Sequence, residues 1–113
     1  MITFKVPFKK AWFFIEKDVD FLFNIGALEY ASEEVLKCDL FEIGNQKPYE
    51  INIAILYAAY LIACERKGKN KKYTFNHAVY WVEHMSRESQ EVFIKAVQDL
   101  LGKMSKGTEE KKK

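Results

Sequence analysis

The sequence predicts a small, mainly α-helical domain of about four helices, opened by a short N-terminal β-strand or hairpin. Three observations carry that expectation. Ile2, Phe4, Val6 and Phe8 alternate with Thr3, Lys5 and Pro7, the period of two that suits a strand. Tyr49–Cys64 (YEINIAILYAAYLIAC) contains only two polar residues, Glu50 and Asn52, and then gives way abruptly to ERKGKNKK. Two stretches further on repeat apolar residues at helical spacing, each behind a hydroxyl residue fit to cap it.

Pro7 has no N–H to give to a ladder, so the first strand must lie at a sheet edge or end there. The next segment, KKAWFFIEK (Lys9–Lys17), reads equally as a second strand or as a first helical turn. A hairpin or an extended arm is favoured, because no other segment offers strand partners.

Phe21–Lys37 reads as a helix. Phe21, Ile25, Leu28, Ala31 (or Ser32), Val35 and Leu36 follow the three-and-four spacing of a buried stripe, with Glu29, Glu33 and Glu34 facing out. Asp20 is the expected N-cap, and Gly26 costs the helix about 1 kcal/mol. Asp39–Lys47 is a connector with Gly44-Asn45 as its turn signal.

Pro48 suits the first position of the next helix, Tyr49–Lys67, where Glu50 complements the positive end of the dipole. This helix is apolar on every face, so neighbours must wrap it or a second copy must share it. Gly68 is its natural stop. Thr74 caps Phe75–Met85, whose inward stripe is Ala78, Val79, Trp81, Val82 and Met85. Ser86 opens Arg87–Leu101, and Gly102 is expected to end it. Residues 1–102 thus form one helical domain, and 103–113 (KMSKGTEEKKK) form a disordered charged tail.

Composition narrows the function classes. The net charge of +2 hides an acidic first part, −3 over residues 1–64, and a basic remainder, +5 over 65–113. That division permits head-to-tail association of copies as readily as contact with nucleic acid. Cys38 and Cys64 form no CxxC pair and are expected to be free, partly buried thiols. The apolar run Ile53–Cys64 spans 12 residues, short of the ~20 that cross a bilayer. No secretory signal is evident, and a soluble, cytoplasmic protein without a membrane partner is expected.

Catalytic and metal-binding patterns are missing from the sequence. His77 and His84 lie seven residues apart on one helix, about 10 Å between Cα atoms and too far for one ion. Nothing resembles a GxSxG elbow, the two cysteines lie in or beside apolar helices where a thiolate is disfavoured, and the five glycines are scattered singly rather than gathered in a phosphate loop. The expectation is a non-enzyme without cofactor, catalytic residue or metal ligand. Two surfaces remain as candidates. One is the aromatic N-terminal region, with Phe13, Phe14, Phe21 and Phe23 as candidate partner contacts. The other is a basic patch of Arg66, Lys67, Lys69, Lys71 and Lys72, beside Tyr73 and Phe75, as a candidate nucleic-acid contact. No recognition-helix or RNA-module signature supports the second.

The order of elements resembles the tail assembly chaperones of long-tailed bacteriophages and prophages. Ile2–Val6 is similar to the strand that opens many of them, and FNIGALEYASE (Phe23–Glu33) to their small-residue helix. ILYAAYLIACERKGK followed by YTFNHAVYWVEHM resembles their apolar helix, polar loop and second helix, and Arg87–Leu101 their last helix. The resemblance implies a non-enzymatic chaperone, itself an oligomer. It would bind the tape-measure protein, keep it soluble, recruit tail-tube subunits, and be absent from the finished particle. A nucleic-acid-binding or regulatory protein using residues 66–72 is the alternative, and another virion-assembly component, such as a connector subunit, is a weaker one.

Overall fold

The computed structural model describes residues 1–112, with side-chain surroundings given as far as Lys103. Two antiparallel strands, β1 (Ile2–Lys10) and β2 (Phe13–Phe21), form a hairpin in the register Ile2↔Phe21 to Lys10↔Phe13. Four helices follow: α1 (Ile25–Tyr30), α2 (Pro48–Lys67), α3 (Phe75–His84) and α4 (Arg87–Lys112). A π-helical turn, Ala31–Val35, continues α1, and a 3-10 segment, Leu40–Asn45, lies before α2. The fold is therefore helix-rich with a two-stranded hairpin. Among the described residues no helix is long and apolar enough to cross a membrane.

KKAWFFIEK resolves as the turn and the start of β2. Ala11 takes a left-handed φ of 54° in the two-residue turn Ala11-Trp12, a conformation that a non-glycine residue adopts at some cost. Pro7 pairs opposite Glu16 and is tolerated because both strands of a two-stranded sheet are edges.

The helix expected over Phe21–Lys37 is corrected at its start. Asp20 and Phe21 belong to β2, and Asn24 is the N-cap, its Oδ1 accepting from Ala27 N–H at 2.8 Å. The strand prevails because its end is held from outside: the Leu22 N–H donates to the Ala59 carbonyl of α2 at 3.0 Å. Asp20 is drawn away by hydrogen bonds from Thr3 and Lys67. At the far end the helix widens, with Leu36 N–H reaching Ala31 O and Cys38 N–H reaching Ser32 O.

α2 is the central element, and one chain suffices to cover it. Ile53, Ala54, Ile55, Leu56, Ala58, Ala59, Tyr60, Leu61, Ala63 and Cys64 are all buried against β2, α1, α3 and α4. Its alanines explain the close approach of β2, since a methyl group leaves room for a strand backbone against the helix. Gly68 ends α2 in the left-handed region (φ 66°), returning Lys69 N–H to Cys64 O at 2.9 Å.

α3 starts at a capping box in which Thr74 N–H donates to His77 Nδ1 at 3.0 Å. Its buried Trp81 meets Phe8, Phe21, Tyr60 and Tyr73 at ring-centroid distances of 5.6–5.8 Å, all steeply tilted. Ser86 Oγ accepts from Ser89 N–H at the start of α4, and the buried Ser89 hydroxyl donates to Lys5 O of β1 at 2.6 Å. α4 passes through Gly102 instead of stopping there. A single glycine costs a helix only about 1 kcal/mol and is no obligatory stop. The side chains of the expected charged tail lie outside the described residues beyond Lys103.

Candidate functional site

The hairpin divides into two halves with different surroundings. Near its base, Phe4, Val6, Val19 and Phe21 are buried against the helices. Past Phe8 and Ile15 the strands leave the helical body, and Lys9, Lys10, Trp12, Phe13 and Phe14 are exposed. Trp12 is 90 % exposed, Phe14 55 % and Phe13 47 %. Among the described residues the only ring that Trp12 meets is Phe13, edge to face at 5.2 Å. The tip is thus a prong of three aromatic side chains flanked by lysines.

This placement sorts the phenylalanines singled out from the sequence. Phe13 and Phe14 lie on the open tip. Phe21 does not: it is fully buried, stacked on Phe4 at 4.5 Å and set edge-on to Trp81. As a core residue it is corrected from contact to support. Phe23 is half-buried, between Phe21 and Phe93 of α4. Trp12, the most exposed aromatic of the tip, was missed by sequence reasoning. The signal for it was its place beside a turn in a strand-turn-strand reading, since a turn residue has no sheet face to pack against.

The basic patch is divided as well. Lys67 Nζ lies 2.5 Å from Asp20 Oδ2, and Lys69 Nζ lies 3.7 Å from the same oxygen. The hydrogen bond from Lys67, with a second from Thr3, holds the Asp20 carboxyl below its ordinary value. Arg66, Lys71 and Lys72 are exposed and make no ion pair among the described residues. So β2 neutralises part of the charge that the sequence shows as a cationic run.

Between β2, the end of α2 and this loop lies a cleft of about 470 Å³ whose lining includes Asp18, Asp20, Tyr60, Cys64, Lys67 and Tyr73. The Tyr60 hydroxyl accepts from Tyr73 N–H at 3.1 Å, and burial pushes its pKa up to about 12. The phenol is neutral and structural at physiological pH. Cys64 is buried beside it. Burial, then the carboxylates of Glu42 and Asp39, raise the Cys38 thiol, which disfavours the thiolate a nucleophile needs. Among the described residues no group of three His, Cys, Asp or Glu side chains is placed to hold a metal ion.

The Asp20 contacts have a pH consequence. A carboxylate held below its ordinary value adds stability that is fully present above pH ~4 and is lost as pH falls through the lowered folded value. Asp20→Asn is therefore expected to reduce the steepness of acid unfolding below pH ~4. It should also speed amide exchange at Lys69, whose side chain shares that carboxylate. Acid titration by circular dichroism and exchange mass spectrometry check both.

No protein-family model matches this chain, and no curated protein or solved structure is significantly similar to it.

Proposed function

We propose that this protein is a non-catalytic assembly chaperone whose aromatic hairpin tip holds apolar stretches of a helical client. The reading takes up what the resemblance to phage tail assembly chaperones implies. The client is the tape-measure protein, tail-tube subunits are the second partner, and the site of action is the host cytoplasm. The single observation that supports it is the trio Trp12, Phe13 and Phe14, held clear of the core on a paired hairpin. Rings kept in water have an unfavourable hydration that a client surface would relieve, at about 25 cal/mol for each Å² covered.

Co-expression with the tape-measure protein tests this. Soluble yield of the client should rise with the wild-type protein and fall back to the level of the client alone with Trp12→Ser/Phe13→Ser/Phe14→Ser. The variant's own stability should move by less than about 0.5 kcal/mol, as for exposed positions elsewhere. Equal rescue by wild type and variant would remove the tip from the mechanism, and no rescue by either would remove the chaperone reading.

Arg66, Lys71 and Lys72 favour a second reading, contact with a nucleic-acid backbone. An affinity for single- or double-stranded nucleic acid that falls steeply between 50 and 200 mM salt would select it, because each phosphate neutralised releases counterions.

A further inference from the structure

The two edges of the hairpin are finished differently. In an antiparallel ladder every second residue of a strand turns its N–H and carbonyl away from the partner strand. In β1 these are Thr3, Lys5, Pro7 and Lys9, because the Lys5 carbonyl accepts from Ser89 of α4 and Pro7 has no N–H to give. Thr3 and Lys5 also reach Asp20 and Asp18 across the ladder, as befits the pairs whose side chains stand closest. This edge is covered: Pro7 is fully buried, and α3 and α4 both pack on β1.

The residues opposite, Glu16, Asp18 and Asp20, turn their backbone groups to the other edge. Among the described residues none of those N–H and carbonyl groups has a hydrogen-bond partner outside the ladder. α2 closes this edge only at Leu22, whose N–H goes to Ala59 O. Beside the open stretch lies the 470 Å³ cleft, which Asp18, Val19 and Asp20 line together with Tyr60, Tyr73, Lys69 and Lys72.

We infer that this edge takes up an extended segment of a partner protein as a third strand, laid antiparallel to β2 from Asp20 towards Glu16. Unpaired backbone groups in register are what such a segment needs for attachment, and antiparallel pairing is the more stable form. A third strand lies about 4.8 Å from its neighbour, on the side where the cleft opens at Asp18 and Asp20. The surroundings specify the segment. Beside Val19 it meets Tyr60 and Tyr73, which suit an apolar residue. Near Asp20 the cations Lys67 and Lys69 outweigh the one carboxylate, and exposed Lys72 makes no ion pair among the described residues, which suits an acidic residue. Glu16 is exposed and likewise without an ion pair, which suits a basic one. The occupant is therefore acidic where it enters, apolar in the middle and basic where it leaves. A second β2 does not fit, because it would set one row of carboxylates against the same row. The site begins at Glu16 and leaves the rings of the tip free, so it is separate from the surface proposed for a helical client.

Titration of the isotope-labelled protein with acetyl-Glu-Val-Thr-Val-Lys-amide, followed by amide NMR, tests this. The amides of Glu16, Asp18 and Asp20 should shift and exchange more slowly as the peptide binds. Acetyl-Lys-Val-Thr-Val-Glu-amide has the same composition with its charged ends exchanged. It should bind about tenfold more weakly, since two cross-strand charge pairs turn from opposite to like. Asp18→Pro should abolish binding of both peptides, and it removes an outward N–H that the hairpin's own ladder does not use. Lys72→Glu, at an exposed loop position, should bring the two peptides to about equal affinity and decides the matter if the proline variant fails to fold. No response of these amides to either peptide at millimolar concentration overturns the inference. So do equal affinities in the wild type, a preference that Lys72→Glu leaves unchanged, or binding that a folded Asp18→Pro variant retains. Three other results overturn it in favour of a different occupant or place. Shifts confined to Trp12, Phe13 and Phe14 assign the peptide to the tip. Edge protection that rises with protein concentration alone assigns the edge to a second copy. Displacement of the peptide by an oligothymidine assigns the lysines to nucleic acid.

Discussion

Trp81→Ala is expected to cost about 3–5 kcal/mol, a large share of the roughly 5–15 kcal/mol that stabilises an ordinary domain. Trp81 is fully buried where β1, β2, α2 and the loop before α3 converge, with Phe8, Phe21, Tyr60 and Tyr73 around it. No single element can close the space that the indole leaves, because its neighbours come from separate parts of the chain and are fixed by their own packing. The indole Nε1 is also buried, with no hydrogen-bond partner among the described residues. Trp81→Phe should therefore be far milder, because the smaller ring removes an unpaired donor along with some volume. Urea unfolding followed by circular dichroism separates the two variants. Comparable losses would show that the donor has no part in the balance, and a loss under 1 kcal/mol for alanine would place the core elsewhere.

Ala59→Leu is the second large effect, about 1–3 kcal/mol or more of destabilisation from overpacking. Ala59 is fully buried, and its carbonyl accepts the Leu22 N–H at the point where the chain leaves β2 for α1. A leucine there must push the strand end off the helix, so the Leu22 amide should lose protection from hydrogen exchange together with stability. Ile62→Leu, at a half-buried position of the same helix, is the matched control and should cost under 1.5 kcal/mol. If Leu22 stays protected in Ala59→Leu, the strand is held by the hairpin alone.

Much of the fold was legible one element at a time. The start of α2 at Pro48, its stop at Gly68, the Thr74 cap and the role of Ser86 all follow from side-chain chemistry within four residues of each terminus. The first helix was not legible in this way. Asp20 has the chemistry of an N-cap, and so does Asn24, and local rules do not rank them. The ranking came from Lys67 and Ala59, which lie 47 and 37 residues beyond their partners Asp20 and Leu22.

The candidate site followed the same division. An aromatic N-terminal region was plain from Phe4 to Phe23, but a list of aromatic residues does not say which are inside. Pairing in register places Phe21 opposite Ile2 at the base and Phe13 opposite Lys10 at the tip. One phenylalanine is thereby a core residue and the other surface. The all-apolar α2 suggested surface left over for a partner, and the helices around it cover that surface within one chain. Trp12 of the tip is the most exposed of the large apolar side chains among the described residues, ahead of Phe41.

By itself the sequence determined the helical periods, the ends of α2, the Thr74 cap of α3, the charge asymmetry and the central place of α2. Those are properties of residues a few positions apart, where geometry is set by the backbone. Only the tertiary structure decided where β2 ends, which lysines Asp20 neutralises, and which aromatic rings meet water. Each of these depends on a contact between distant segments whose energy exists only once both are in place.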